Sequence, residues 1–102
     1  KLQIPLISNQ GSRNHYWVYG VILKSKSRDE LSNYLHNEGI QTRNFFWPLH
    51  MQNVLKEEFK PKDSLQVSES LGRQGLYIPM GAHLSKQDQI RIARKLLTFV
   101  DG

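Results

Sequence analysis

The sequence YWVYGVIL at residues 16–23 decides the fold. It is rich in β-branched and aromatic residues and is apolar at both odd and even positions. This pattern is typical of a strand buried on both faces, because alternate side chains point to opposite sides of a sheet. We therefore predict a central strand over residues 16–23, after an extended lead-in with a loop over residues 1–14. The aromatic side chains of Trp17 and Tyr19 are expected to pack between this strand and the helices.

A well-marked helix follows this strand. Ser27 and Glu30 have the spacing of a capping box, in which the serine hydroxyl accepts a hydrogen bond from the Glu30 amide. An apolar stripe at helical spacing comes next, formed by Leu31, Tyr34 and Leu35. Gly39 stands where a left-handed residue ends a helix, and Ile40 is placed to fold back on the last turn. The predicted helix therefore runs from Arg28 to Glu38.

Short strands and helices alternate in the rest of the chain. Residues 40–46 are predicted to form a second strand, which Pro48 ends. Two helical stretches are expected over residues 52–59 and 64–73, and a short strand over residues 75–78.

The last helix begins at Ser85 and Asp88, a second pair with capping-box spacing. Its expected inward stripe comprises Ile90, Ala93, Leu97 and Val100, with Leu96 beside them. The order β-α-β-α-α-β-α predicts an α/β (α+β) fold with a small three-stranded sheet and about four helices. We assign residues 1–102 to a single domain.

Composition limits the classes of protein to consider. The chain has 102 residues, of which 38% are hydrophobic and 23% charged, as expected for one globular domain. It contains no cysteine, which excludes disulfides, iron–sulfur clusters, thiolate metal sites and cysteine nucleophiles. The apolar run at residues 16–23 is too short to cross a bilayer, and residues 1–5 do not resemble a signal peptide. We therefore expect a cytoplasmic protein without a membrane partner.

The net charge of +5, from 14 Lys+Arg against 9 Asp+Glu, suits a partner that carries phosphate. The basic residues are spread along the sequence and are most concentrated at residues 24–28 and 60–62, where turns are expected. Solvated loops explain these groups better than a nucleic-acid site does. We therefore expect no nucleic-acid partner.

The sequence contains no motif of an autonomous enzyme. No serine lies in a Gly-x-Ser-x-Gly elbow, and the glycines never approach the spacing of a phosphate-binding loop. The four histidines are dispersed and lack the spacing of metal ligands. We therefore predict neither catalytic residues nor a metal site.

The segment TRNFFWPLHM at residues 42–51 is the strongest candidate for binding. Three consecutive aromatics, an arginine and a histidine follow the predicted second strand, and loops after strands often carry binding residues. A guanidinium can bind a phosphate or carboxylate, and an aromatic shelf can stack on a base or cover a sugar. The alternative from the residues alone is structural: Phe45 and Phe46 fill the core, Trp47 covers an edge and His50 caps the next helix.

Five short motifs occur in order along the chain. They are NHYWVY at residues 14–19, RDEL at 28–31, GIQTR at 39–43, FFWPLH at 45–50 and GLYIP at 75–79. Together they resemble the C-terminal small domain of the DegT/DnrJ/StrS family of pyridoxal-phosphate-dependent sugar aminotransferases. The resemblance extends from about Pro5 to the end of the chain, and it implies the small-domain fold of fold-type I aminotransferases.

The resemblance also implies a substrate and a cofactor. The Thr-Arg-x-Phe-Phe-x-Pro-x-His form is similar to perosamine-synthase-like enzymes, which aminate a GDP-linked 4-keto-6-deoxy sugar for polysaccharide biosynthesis. Pyridoxal phosphate (PLP) belongs to the parent enzyme, whose cofactor lysine lies in a large N-terminal domain that precedes the matched region. We therefore expect no cofactor and no transamination from this chain alone.

In an intact enzyme of this family, the small domain closes one side of the substrate cleft. The resemblance implies a substrate-binding role for Arg43, Phe45, Phe46 and His50. Arg43 would meet a phosphate, the two phenylalanines would line the sugar or the cofactor edge, and His50 would donate to a phosphate or sugar hydroxyl. The implied partners are a nucleotide sugar, the missing large domain and a second subunit of a homodimer.

Two hypotheses of other classes remain open. The first is a stand-alone module that binds a nucleotide or a protein without catalysis. The second is a basic domain that binds single-stranded nucleic acid through arginine and stacked aromatics. A separated domain would expose the apolar surface that its large domain covers, whereas a module would be polar outside its site.

Overall fold

The fold is mixed α/β, as the sequence predicts, and the computed structural model describes residues 1–58 and 60–102. The strands are β1 (Leu2–Gln3), β2 (Ser8–Asn9), β3 (Ser12–Arg13), β4 (Tyr19–Leu23), β5 (Arg43–Asn44) and β6 (Gly75–Ile78). The helices are α1 (Arg28–Asn37), α2 (Gln66–Gln74) and α3 (Lys86–Asp101), with a 3₁₀ turn at Leu49–Met51. No helix in the described residues is long and apolar enough to span a membrane.

Four strands form the main sheet, in the order β1-β4-β6-β5, and each neighbouring pair is antiparallel. The prediction of three strands was therefore one short, because the two-residue edge strand β1 lies within the lead-in. The described residues contain three α-helices rather than about four. Residues 53–58 form turns instead of a helix, and the predicted end of that helix, Phe59, lies outside the described residues.

Strand β4 lies inside the sheet, which confirms the prediction of a central strand. Leu2 pairs with Leu23 on one side of it, and Gly20 pairs with Tyr77 on the other. The strand begins at Tyr19 rather than Tyr16, because the backbone turns at Tyr16, where φ is +50°. The Asn14 side chain supports this turn, since its Oδ1 accepts a hydrogen bond from the Tyr16 amide at 2.8 Å.

One face of the sheet carries the hydrophobic core. Val21 lies opposite Leu76 in the register of β4 and β6, so the two side chains share that face. Helices α1 and α3 cover it. The buried residues of this cluster are Val21, Leu23, Leu31, Leu35, Ile40, Leu76, Ile92 and Leu96.

Helix α1 begins at the predicted residue, Arg28, and ends at Asn37, one residue before the predicted Glu38; of the predicted capping box it has the serine half. The Ser27 hydroxyl accepts from the Glu30 amide at 3.3 Å. At the other end, the Gly39 amide donates to the His36 carbonyl at 2.9 Å and the Ile40 amide donates to the Leu35 carbonyl at 2.8 Å. This pair of bonds is the Schellman motif, and Gly39 adopts the left-handed conformation that it requires.

Helix α3 starts with the predicted capping box between Ser85 and Asp88. Its inward stripe differs from the prediction: Ile92, Leu96 and Val100 are buried, whereas Ile90, Ala93 and Leu97 are exposed. The helix is apolar on two faces, so periodicity alone did not identify the face that packs on the sheet.

Replacement of Gly39 tests the ending of α1. Its φ is +72° and no atom lies within 4 Å of an added Cβ, so Gly39→Ala introduces backbone strain without a steric clash. We expect the free energy of unfolding in urea to fall by about 1 kcal/mol. Gly39→Asn is the matched control and is expected to lose less, since asparagine tolerates this conformation. Equal stability of Gly39→Ala and the wild type would contradict the assignment.

Candidate functional site

The sheet face opposite the core carries the candidate site. Gly20 and Tyr77 are paired on this face, as are Ile22 and Gly75. Arg43 on the edge strand β5 pairs with Tyr77, which brings the predicted binding segment onto the same face. Two glycines therefore leave an open strip across the centre of the sheet, and Tyr77 borders it.

The Phe45 ring fills this strip. It stacks on Tyr77, with ring centroids 4.5 Å apart and an interplanar angle of 23°. A Cβ on Gly20 would lie 2.6 Å from Cζ of Phe45, and a Cβ on Gly75 would overlap the same ring. Because no side chain larger than hydrogen fits at either position, the two glycines fix where the ring lies.

Arg43 and Phe46 form the exposed part of the site. The Phe46 side chain is 63% exposed and meets Tyr77 edge-on, with centroids 6.2 Å apart. The Arg43 guanidinium carbon lies 5.9 Å from the Phe46 ring centroid. A cation and an aromatic ring thus stand side by side at the sheet edge, which is a suitable surface for an anionic ligand with an apolar or sugar face.

The turn after Phe46 is held by its own hydrogen bonds. The indole Nε1 of Trp47 donates to the Met51 carbonyl at 3.1 Å, and the Gln52 side chain donates to the Trp47 carbonyl at 3.3 Å. Pro48 is buried against Gly72 of α2, where an added Cβ would come within 2.7 Å of the proline Cδ. The loop is therefore anchored on α2.

His50 lies on the 3₁₀ turn and faces the same helix. Its Nε2 is 3.1 Å from Oε1 of Glu69, and its side chain is only 10% exposed. No local pattern indicates this contact, because 19 residues separate the two side chains.

The structure brings three of the four predicted site residues together. Arg43, Phe45 and Phe46 surround Tyr77, while His50 is joined to α2 through Glu69. Sequence reasoning missed Tyr77 and Glu69 as members of this neighbourhood. Alternation along β6 would have placed Tyr77 on the face of the sheet that the buried Leu76 does not occupy. The pairing of Tyr77 with Arg43, however, depends on the sheet register.

Of the two aromatic residues predicted to pack between the strand and the helices, Tyr19 does so and Trp17 does not. Tyr19 is half-buried against the core, as predicted. Trp17 is 77% exposed, so the prediction that it packs under the helices was wrong. The backbone turns at Tyr16 and β4 begins only at Tyr19, so Trp17 lies outside the sheet.

No metal site is apparent in the described part of the chain, where no group of three or more His, Cys, Asp or Glu side chains comes together. The candidate site therefore consists of one exposed cation, an aromatic surface and a histidine–carboxylate pair.

A family model for DegT/DnrJ/EryC1/StrS aminotransferases matches residues 2–97. The chain belongs to this family. Residues 43–50, which form the candidate site, lie within the matched range.

Curated relatives of known activity are similar to most of this chain. GDP-perosamine synthase of Vibrio cholerae is 30% identical over 93 residues, which are 88% of this chain and 24% of that enzyme. The dTDP-3-amino-3,4,6-trideoxy-alpha-D-glucose transaminase of Streptomyces venezuelae is 34% identical over 71 residues, 69% of this chain and 19% of that enzyme. The chain thus spans about a fifth to a quarter of the length of these relatives.

Solved structures of aminotransferases superpose on nearly the whole of this chain. The S. venezuelae protein DesV, in complex with a ketimine intermediate, superposes with a TM-score of 0.83 at 26% identity, over 99% of this chain and 27% of that one. A DegT DnrJ EryC1 StrS aminotransferase from Brucella abortus superposes with a TM-score of 0.83 at 30% identity, over 99% and 26%.

The lysines of this chain do not fit the cofactor of such aminotransferases. A lysine that forms a Schiff base with PLP must lose its proton, which a desolvated or cationic setting favours. All the lysines are exposed except Lys26 and Lys95. Lys26 Nζ donates to the Phe99 carbonyl at 2.6 Å, and Lys95 pairs with Glu38 at 2.8 Å. The hydrogen bond that Lys95 donates to the Glu38 carboxylate raises the pKa of Lys95, which is the opposite of what that chemistry requires.

A double-mutant cycle between Gly20 and Phe45 tests the construction of the site. Gly20→Ala would displace the Phe45 ring, and we expect the free energy of unfolding to fall by about 1–3 kcal/mol. In a Phe45→Ala background the same substitution meets no ring, so most of that cost should disappear. Urea denaturation of the four proteins measures the coupling. Equal costs in the two backgrounds would show that the glycine does not fix the ring.

Proposed function

We propose that residues 1–102 form the C-terminal small domain of a PLP-dependent aminotransferase acting on a nucleotide-linked 4-keto-6-deoxy sugar. Family membership and similarity to GDP-perosamine synthase support this assignment. In the parent enzyme the chain supplies one wall of the substrate cleft, and the large N-terminal domain supplies the cofactor and its lysine. The parent works as a homodimer, as the family resemblance implies.

The observation that carries the proposal is the exposed Arg43 guanidinium beside the exposed Phe46 ring. Within residues 1–58 and 60–102, no carboxylate forms an ion pair with this guanidinium. An available guanidinium can bind the phosphates of a nucleotide sugar through two parallel hydrogen bonds. Phe46 and Tyr77 offer apolar surface for the deoxy sugar at the same edge.

Phe45 and His50 contribute in different ways to this wall. Phe45 is half-buried and stacks on Tyr77, which in turn meets the exposed Phe46 ring edge-on. His50 is held against α2, so it meets a ligand only through the part of the ring that Glu69 leaves accessible. The ligand-facing surface is therefore centred on Arg43 and Phe46.

The apolar surface of the chain supports its origin as part of a larger protein. An open groove of about 610 Å³ lies between the helix-bearing face of the sheet and α3. Its apolar lining includes Leu2, Ile4, Tyr19, Ile78, Met80, Leu84, Ile90 and Leu97. Trp17, Leu49, Val54 and Val67 are also largely exposed outside this groove. Surfaces of this kind mark contacts with another protein or domain, and we assign the groove to the large domain.

Replacement of Arg43 in the parent enzyme tests the proposed wall. Loss of a charged hydrogen-bond donor is expected to raise KM for the GDP-linked sugar about 10- to 100-fold, whereas the melting temperature of Arg43→Ala should stay near that of the wild type. Arg94→Ala is the matched control, since it removes an exposed arginine from α3. Unchanged kinetics of Arg43→Ala would refute a substrate-binding role for Arg43.

The outer stripe of α3, formed by the exposed residues Ile90, Ala93 and Leu97, tests the proposed contact with the large domain. We expect the isolated chain to self-associate through this stripe, and Leu97→Gln to reduce the association because it places a polar group on the exposed face. Leu96→Gln is the contrasting variant, and it should lose several kcal/mol of stability because Leu96 is buried. Analytical ultracentrifugation measures the association and urea unfolding the stability. A monodisperse wild-type chain would instead favour a stand-alone binding module.

A further inference from the structure

The contact between His50 and Glu69 joins the binding loop to α2. His50 stands on the 3₁₀ turn that follows Pro48, and Glu69 lies in the first turn of the helix. Their side-chain atoms Nε2 and Oε1 are 3.1 Å apart, within hydrogen-bonding distance. Only 10% of the His50 side chain and 28% of the Glu69 side chain are exposed. The pair is therefore more enclosed than an ordinary surface ion pair.

Glu69 is itself well supported in its position. A carboxylate in the first turn of a helix is stabilised by the helix dipole. The second carboxylate oxygen, Oε2, lies 3.5 Å from a guanidinium nitrogen of Arg73, one turn further along α2. One oxygen thus faces Arg73 while the other faces His50.

The carboxylate determines which nitrogen of the imidazole ring carries the proton. An ionised carboxylate only accepts hydrogen bonds, so the ring nitrogen that faces it must carry the proton. With Nε2 donating to Glu69, the nitrogen left to meet a ligand is Nδ1. A neutral ring in this state accepts a hydrogen bond at Nδ1, for instance from a sugar hydroxyl, which reverses the donor role that the family resemblance implies for His50.

We propose that Glu69 is a positioning residue, which acts through His50 to set the ring orientation and to hold the loop that carries Phe46 against α2. The inference rests on the proposed function for its ligand, a nucleotide sugar, but the geometry of the pair stands without a ligand. Pro48 packed on Gly72 provides a second, independent contact between the same loop and helix. Loss of the Glu69 carboxylate should therefore loosen the loop locally without unfolding the chain.

The test uses the labelled 102-residue chain and the ring N–H proton of His50 in NMR spectra. A hydrogen-bonded imidazole proton exchanges slowly enough with water to be detected. We expect this proton in the wild type, a weaker signal in Glu69→Gln, whose amide oxygen still accepts, and no signal in Glu69→Ala. Arg73→Ala is the matched control, because it removes the other partner of the same carboxylate and should keep the signal.

A titration with a GDP-linked sugar provides the second readout. We expect Glu69→Ala to weaken the binding that shifts the Arg43 and Phe46 amides by about tenfold, and Arg73→Ala to leave it within about twofold. A protected His50 proton in Glu69→Ala, or unchanged affinity in that variant, would overturn the inference. If the ring protons of the wild type and the variants follow the expected pattern but the sugar shifts no amide of the wild type, binding of the sugar by the isolated chain is contradicted, whereas the positioning of His50 by Glu69 remains supported.

Discussion

The antiparallel register between β4 and β6 is the constraint on which the rest of the structure depends. It places Val21 beside Leu76 on the face that α1 and α3 cover, and Gly20 beside Tyr77 on the other. A shift of one residue would exchange the two faces, because the side chains of a strand alternate. The core and the candidate site are thus two consequences of one pairing, and Gly20 and Gly75 leave the space that the Phe45 ring fills.

Local patterns in the sequence predicted the elements whose ends are set by local hydrogen bonds. The start of α1 at Ser27, its Schellman ending at Gly39 and the capping box at Ser85 all follow from residues within a few positions of each other. Strand β6 also matches its prediction, since α2 ends where it begins and Pro79 follows it. Propensity was less informative where tertiary contacts decide, as in the two-residue strand β5 and the outer stripe of α3.

Part of the site could be predicted from the sequence because three of its residues are close together in the chain. Arg43, Phe45 and Phe46 were visible as a cation and aromatics after a predicted strand, whatever the register. Tyr77 joins them only through the pairing of β5 with β6, and Glu69 reaches His50 from a different element. Residues that meet through long-range pairing leave no spacing pattern in a single sequence, which is why both were missed.

We propose that the sheet face around Tyr77 is the ligand wall of a sugar aminotransferase. The most direct test is amide-resolved NMR of the labelled chain, titrated separately with a GDP-linked sugar, pyridoxal phosphate and a short single-stranded oligonucleotide. We expect shifts with the GDP-linked sugar that are confined to residues 43–50 and Tyr77. Shifts confined to the α3 groove, or shifts only with the oligonucleotide, would contradict it.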